Sequence, residues 1–285
     1  MYLQSLKIIK NSLSKIYVNK LKTVGVALLL LPLLNCAALE SSYTATLVSG
    51  GTHIVGKSNF DIKIIDETTG EGAENLTVTV TPTMTMDSGM VHTTPVYSVT
   101  DSGSGVYSVE AYYLMPSMAG SWQIHVDVDG SNIAKLDTTV SGAGTDKATL
   151  KGVTDKFLQM GMVTNRFYFI FENNIDAAGN SALLFVATRN SLTEHPSLYY
   201  GLSLTDENSA DWTVNSASNA TTVKINTQSD GLGAWQSLTH LGGGYYQGTG
   251  LTIPPAPIAV EVQVNTEIKT LDGTGGGQAF GFLPY

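Results

Sequence analysis

A chain of 285 residues with 42% hydrophobic and only 14% charged positions has the apolar content of an ordered, strand-rich protein, which excludes a disordered chain. The length suits two domains of about 100 to 130 residues. The balance of 24 acidic against 15 basic residues, a formal net charge of −9, argues against nucleic acid and anionic lipid surfaces as partners.

The N-terminus carries Lys7, Lys10, Lys15, Lys20 and Lys22 with no acid before Glu40, then the apolar run 24–34, "VGVALLLLPLL". That run is shorter than the roughly 20 residues that span a bilayer and has the length of a secretory h-region. It ends in "LLNC" at Cys36, the single cysteine. This resembles a bacterial lipobox, with Asn35 standing where a small residue is usual, and the resemblance implies cleavage before Cys36 and acylation of its thiol. The reading predicts a signal peptide over 1–35 and a lipidated tether over 36–42. The remaining chain then has no cysteine for a disulfide and a formal charge of −14, since five of the 15 basic residues leave with the leader. Membrane association is expected through the acyl chains, in a bacterial cell envelope.

Strands and turns follow: "YTATLV" (43–48), "NFDIKII" (59–65), "LTVTVTPTMTM" (76–86), "PVYSVT" (95–100), "GVYSVEAYY" (105–113), "SWQIHVDV" (121–128) and "AKLDTTV" (134–140). Leu76, Val78 and Val80 alternate with Thr77, Thr79 and Thr81, the period of a half-buried strand, and "ETTGEG", "TDSGSG" and "VDGSN" supply turns. Seven short strands at this spacing predict an all-β fold, an immunoglobulin-like β-sandwich over 43–141. "SGAGTDKA" has the composition of a linker, placed at 142–148, with a second, diverged β-sandwich over 149–285. There "NRFYFIFEN" (165–173) stands where "SNFDIKIID" stood, and 242–264 follows the plan of 103–128, a Gly-rich turn, an aromatic strand, a Pro turn and an alternating strand. Both features suggest a duplication. The stretch 193–233 reads as a long polar region suited to contact with a partner, and the C-terminal "GTGGGQAFGFLPY" as a Gly run with an apolar tip able to add a last strand.

Five of the eight methionines, Met84, Met86, Met90, Met115 and Met118, fall with His92 inside "PTMTMDSGMVHTTP" and "LMPSMAG". Thioether sulfur is soft and suits Cu(I), and imidazole tolerates both copper oxidation states. The "DSG" turn at 87–89 is placed to fold Met90 and His92 back toward Met84 and Met86. The competing reading continues the inward parity of Leu76, Val78 and Val80 through Met84 and Met86, which are then pliable core fillers capped by Met115 and Met118. His125 falls on the outward parity of its strand. His53, His195 and His240 stand alone and read as surface or turn residues.

The stretch 58–128, with its Asn-aromatic strand, Met-containing segment, Gly-x-Tyr turn and "M-x-G-x-W", is similar to YtkA-like domains, relatives of FixH. The resemblance implies an exported immunoglobulin-like module, and a link to copper handling in which Met and His of the central segment are the metal ligands. The second half lacks that segment. No G-x-S-x-G elbow, phosphate loop or calcium-loop spacing occurs, so no enzyme is expected. Two functions stand: an envelope lipoprotein whose first domain binds Cu(I) and serves a metal-receiving protein, or a structural or adhesive surface lipoprotein that binds an extracellular protein.

Overall fold

The computed structural model describes residues 42–49, 52–142, 147–215 and 220–284. Cys36 and the segment read as a signal peptide lie outside them. Ser41–Tyr285 forms one compact unit.

The first sandwich consists of β1 (Tyr43–Ser49), β2 (Thr52–Ile54), β3 (Gly56–Asp66), β4 (Val78–Met86), β5 (Val91–Thr93), β6 (Val96–Asp101), β7 (Val106–Tyr113), β8 (Gly120–Val128) and β9 (Ser131–Ser141). One sheet runs β1-β3-β7-β6 and the other β2-β9-β8-β4-β5. The alternation seen in the sequence becomes burial. On β8, Trp122, Ile124, Val126 and Val128 are buried, and His125 points away from the core between them. On β4 the inward set is Val80, Pro82 and Met84. These side chains meet Phe60, Ile62 and Ile64 of β3 and Tyr107, Val109 and Ala111 of β7 in one core.

The second sandwich contains β10 (Lys147–Gln159), β11 (Met162–Asp176), β12 (Ser181–Thr188), β13 (Ser203–Thr205), β14 (Asp211–Thr213), β15 (Thr222–Asn226), β16 (Trp235–Ser237), β17 (Thr239–Gly242), β18 (Tyr245–Thr249), β19 (Ile258–Val264), β20 (Glu267–Ile268) and β21 (Gly281–Leu283). One sheet runs β10-β11-β12-β18-β17. The other runs β16-β15-β19-β20 with β21 also on β19, so the apolar C-terminal tip does add a strand. β13 and β14 form a separate two-stranded ribbon. The fold is thus all-β, two immunoglobulin-like sandwiches in tandem.

Three sequence expectations change. β10 starts at Lys147, inside the stretch read as linker, because Ala148 and Leu150 are core residues. The stretch 193–233 is not a polar loop throughout: Leu198, Leu202, Leu204, Val214, Val223 and Ile225 are buried in the second core. Its apolar positions are spread over pieces of strand too short to show a period. In both sandwiches the chain crosses between sheets at the Pro turn, β7 to β8 and β18 to β19, but β3 lies beside β7 while the neighbour of β18 is β12 rather than β11. "NRFYFIFEN" therefore does not occupy the place of "SNFDIKIID".

Candidate functional site

Met84 is fully buried on the inner face of β4, directly opposite His92 on β5 and Trp122 on β8. Cross-strand partners share a face, so Met84 and His92 are neighbours. The Asp87–Gly89 turn closes as its residues require: the Met86 N–H donates to the Met90 carbonyl at 2.8 Å, and Gly89, at φ 81°, donates to the Met86 carbonyl at 2.8 Å. Met86 and Met90 are half-buried. Met115 packs against the first core and its carbonyl accepts the Trp122 indole N–H at 3.1 Å. Met118, on the 3-10 turn Ser117–Ala119, is 92% exposed. The fold brings Met84 to His92 and Met86 to Met90, while Met84 and Met115 lie in the core and Met118 in solvent. Among the described residues no group of three His, Cys, Asp or Glu side chains forms a metal-holding arrangement.

His92 lies close to Arg189 and His195 of the second sandwich. Next to it the Thr93 N–H donates to the Leu192 carbonyl at 3.2 Å, and Thr93 Oγ1 lies 3.3 Å from His195 Nδ1. His195 is buried rather than on the surface, as is His53, which sits edge-on to the Phe60 and Tyr113 rings at 4.7 and 5.0 Å. Isolated histidines on short strands leave no pattern in the sequence, and packing alone decides their burial. His92 Nδ1 and His195 Nε2 have no hydrogen-bond partner. Burial, then the charge of Arg189 and the proximity of His92, lowers His195 to about 3. Burial and then Arg189 also lower His92. Both imidazoles are therefore neutral at physiological pH, and their unpartnered nitrogens are buried. The Arg189 guanidinium itself lies over the Phe167 and Phe169 rings at 4.8 and 5.7 Å.

Beyond this corner the sandwiches are joined by a third apolar cluster of Tyr112 and Leu114 from the first and Phe169, Phe171, Phe185, Ala187 and Tyr245 from the second. Glu110 seals one side. Its carboxylate accepts from Tyr112 at 2.7 Å and from Tyr245, and pairs with Lys57 at 3.1 Å, which also donates to Asn173 Oδ1 at 2.5 Å. Burial opposes the Glu110 charge, but the hydrogen bonds from Tyr245, Tyr112 and Lys57 outweigh it and hold the carboxyl below its usual range. Beside this seal a cleft of about 510 Å³ is lined by residues of both sandwiches, including Tyr97, Asn173, Leu183, Leu241 and Tyr245. Tyr97 and Leu241 are 44% and 57% exposed, and Tyr97 stands edge-on to Tyr245 with ring centroids 4.5 Å apart. Three successive left-handed glycines, Gly242, Gly243 and Gly244, shape the cleft wall. A Cβ on Gly243 would come within 3.1 Å of the Tyr97 ring.

A second feature the sequence hid is a buried charge network in the second sandwich. Asp155 accepts from Arg166 Nε at 2.8 Å and from Tyr168, and lies 3.4 Å from Lys269 Nζ, which pairs with Glu267 at 2.8 Å. Arg166 also donates to the carbonyls of Arg189 at 2.8 Å and Thr205 at 2.5 Å, and lies 5.3 Å from the Phe157 and Trp212 rings. Two cations and two anions compensate one another, the arrangement under which charges tolerate burial.

The fold and the joint together define an all-β tandem sandwich module. Residues 38–127 match the YtkA-like family model, which covers the first sandwich up to β8. No curated protein matches the chain significantly. Among solved structures the chain is similar to FdeC, an Escherichia coli adhesin, at 16% identity and TM-score 0.29, covering 86% of this chain and 64% of that one. It is also similar to the Yersinia pseudotuberculosis adhesin InvE, at 14% identity and TM-score 0.28, covering 79% and 57%. Domains 5-6 of the S-layer protein SbsC match at 16% identity and TM-score 0.25, covering 79% and 94%. The chain spans less than two thirds of the length of either adhesin structure.

Proposed function

We propose that this chain is a lipid-anchored, non-enzymatic binding protein of a bacterial cell envelope that receives a protein partner at the cleft between its sandwiches. The observation that carries the reading is the joint. An aromatic cluster and the Glu110 seal hold two sandwiches together, and beside them an open cleft presents the exposed rims of Tyr97 and Leu241. Clefts at domain interfaces with apolar walls and a few fixed polar groups are the usual form of a binding site, and exposed aromatic residues are common anchors. The lipid anchor is supported by the apolar run ending in "LLNC" at Cys36.

The anchor is tested by metabolic labelling with a fatty-acid analogue, expected on the wild type and lost on Cys36→Ala. The cleft is tested with a photo-crosslinking residue at Leu241 in intact cells and, as control, at the exposed Lys135 on the first sandwich. A discrete adduct at Leu241 that disappears with Tyr97→Asp is expected. Equal adducts at both positions, or none at Leu241, would sink the reading.

Cu(I) binding by the first sandwich is the second reading. It is favoured by Met84 facing His92, with unpartnered nitrogens on His92 and His195 nearby. Under it the partner is a metal-receiving protein. Titration with Cu(I) against a competing chelator tests it: affinity tighter than micromolar that Met84→Leu and His92→Gln abolish supports it, and unchanged or weaker affinity removes it.

A further inference from the structure

β10 and β11 are the longest hairpin of the fold, and their outer part leaves the sheet. β12 pairs with β11 only from Tyr168 onward, while β10 and β11 continue to pair from Lys156↔Asn165 to Gln159↔Met162. The loop that carries Asp272 reaches this ribbon at its base, where the Gly273 carbonyl accepts from Asn165 at 2.8 Å. Beyond that point Leu158, Met160, Met162 and Val163 are 43%, 69%, 67% and 57% exposed, four apolar side chains within six residues. Apart from Met1, the two methionines here are the only ones outside the cluster of the first sandwich.

The turn makes the apolar tip hard to explain by folding. Met160 and Gly161 have φ of 50° and 78°, the two left-handed positions of a type I′ hairpin turn. Such a turn favours Asn-Gly, because an L side chain with a Cβ is strained there. Met160 takes up that strain and reaches no core. We propose that the ribbon tip, residues 158–163, inserts into the interfacial region of a lipid bilayer and gives the sandwiches a membrane contact of their own, independent of acylation at Cys36.

Three observations select a bilayer over a protein or a second copy. The four side chains offer a few hundred Å², against about 800 Å² per partner in a stable protein interface. The ten residues 156–165 contain Lys156 and no carboxylate, in a chain with 24 acidic residues, so this part of an acidic protein enters a low-dielectric layer without a charge to desolvate at its tip. Only the backbone groups that face across the ribbon are paired, so insertion stops in the interfacial region, where water reaches the outward N–H and C=O groups of its two edges. The tip extends about 10 Å beyond Lys156, three residues at about 3.3 Å each, which matches the depth of interfacial insertion. Lys156, on the same face as Leu158, is then at headgroup level. Because the rest of the protein is acidic, the contact is apolar rather than electrostatic.

The fragment 42–285, which holds all three apolar clusters and lacks the N-terminal apolar run, is suited to the test with vesicles of zwitterionic phosphatidylcholine and phosphatidylethanolamine. It is expected to float with the vesicles, with little dependence on salt. Met160→Asp with Met162→Asp is expected to weaken partitioning at least about tenfold, the scale of one apolar side chain withheld from insertion. Met160→Asn removes an apolar side chain while suiting the turn, so weaker flotation of this variant, with an undiminished thermal midpoint, cannot come from misfolding. Met160→Trp is expected to shift its fluorescence to the blue and to be quenched by brominated acyl chains. Absence of flotation, or equal flotation of wild type and variants, overturns the proposal. A dimer that Met160→Asn dissociates, without flotation of the wild type, overturns it in favour of self-association.

Discussion

Tyr112 of the first sandwich and Phe185 of the second stack across the joint, with ring centroids 4.1 Å apart and planes 17° from parallel. The Tyr112 hydroxyl ends on Glu110 and lies 3.0 Å from that of Tyr245, so one side chain contributes to both the apolar and the polar part of the joint. Tyr112→Ala is expected to cost about 3–5 kcal/mol and to separate a single unfolding transition into two. Tyr112→Phe keeps the stack and is expected to cost only about 1 kcal/mol. Calorimetry of both variants checks the difference.

The network around Asp155 is held by compensation. Asp155→Asn leaves Arg166 and Lys269, both fully buried, with Glu267 as their one remaining anion, and is expected to destabilise by about 3–5 kcal/mol in urea unfolding. Lys269→Met leaves the Asp155–Arg166 pair intact and is expected to cost less.

Acid stability should fall in two stages. Burial lowers His53 to about 4 and His195 to about 3, below their unfolded value near 6.5, so the unfolded chain takes up protons first. The resulting stability is complete above pH 6.5 and is lost as pH falls toward 4 and below. Burial raises Glu267, but hydrogen bonds from Lys269, Thr154 and Val153, with the Lys269 charge, take it down to about 2, so its contribution is complete above about pH 4.5 and lost between 4.5 and 2. His53→Phe is expected to flatten the upper stage and Glu267→Gln the lower one, in urea midpoints measured from pH 7 to pH 3.

Met84 and Met118 differ in what they contribute to the first core. Met84→Ala empties a fully buried site in the first core and is expected to cost about 2–5 kcal/mol, while Met84→Leu costs less than about 1.5. Met118→Ala, at a 92% exposed position, is expected to stay within about 0.5 kcal/mol.

The ribbon turn gives the opposite sign. Met160→Asn relieves a left-handed side chain and is expected to stabilise the chain by roughly 0.5–1 kcal/mol. Gly161→Ala, at φ 78°, is expected to destabilise by about 1 kcal/mol although open space surrounds the position. Thermal midpoints of the two variants check the pair.

Much of the fold was legible because strand burial is local. A period of two placed the seven main strands of the first sandwich within a few residues, and Ile258–Val264 of the second appears as written in "IAVEVQV". The inward parity of Val80 and Met84 and the outward parity of His125 follow from the same rule. The candidate site was legible only in part. The "DSG" turn and the Met84–His92 opposition lie within one hairpin and could be anticipated, whereas the dispersal of Met115 and Met118 depends on where a Pro turn lands between sheets.

By itself, the amino-acid sequence determined the all-β class, the strand faces, the turns and the acidic, cysteine-poor character of the chain, since each depends on residues a few positions apart. Tertiary structure alone decided that Thr93 meets His195 across 102 positions, that Tyr112 meets Tyr245 across 133, and that Lys269 reaches Asp155 across 114. Those contacts form when two sandwiches exclude water from between and within them. Burial on that scale turns isolated histidines, tyrosines and charges into a joint and a neutral network, and it leaves the apolar ribbon tip uncovered.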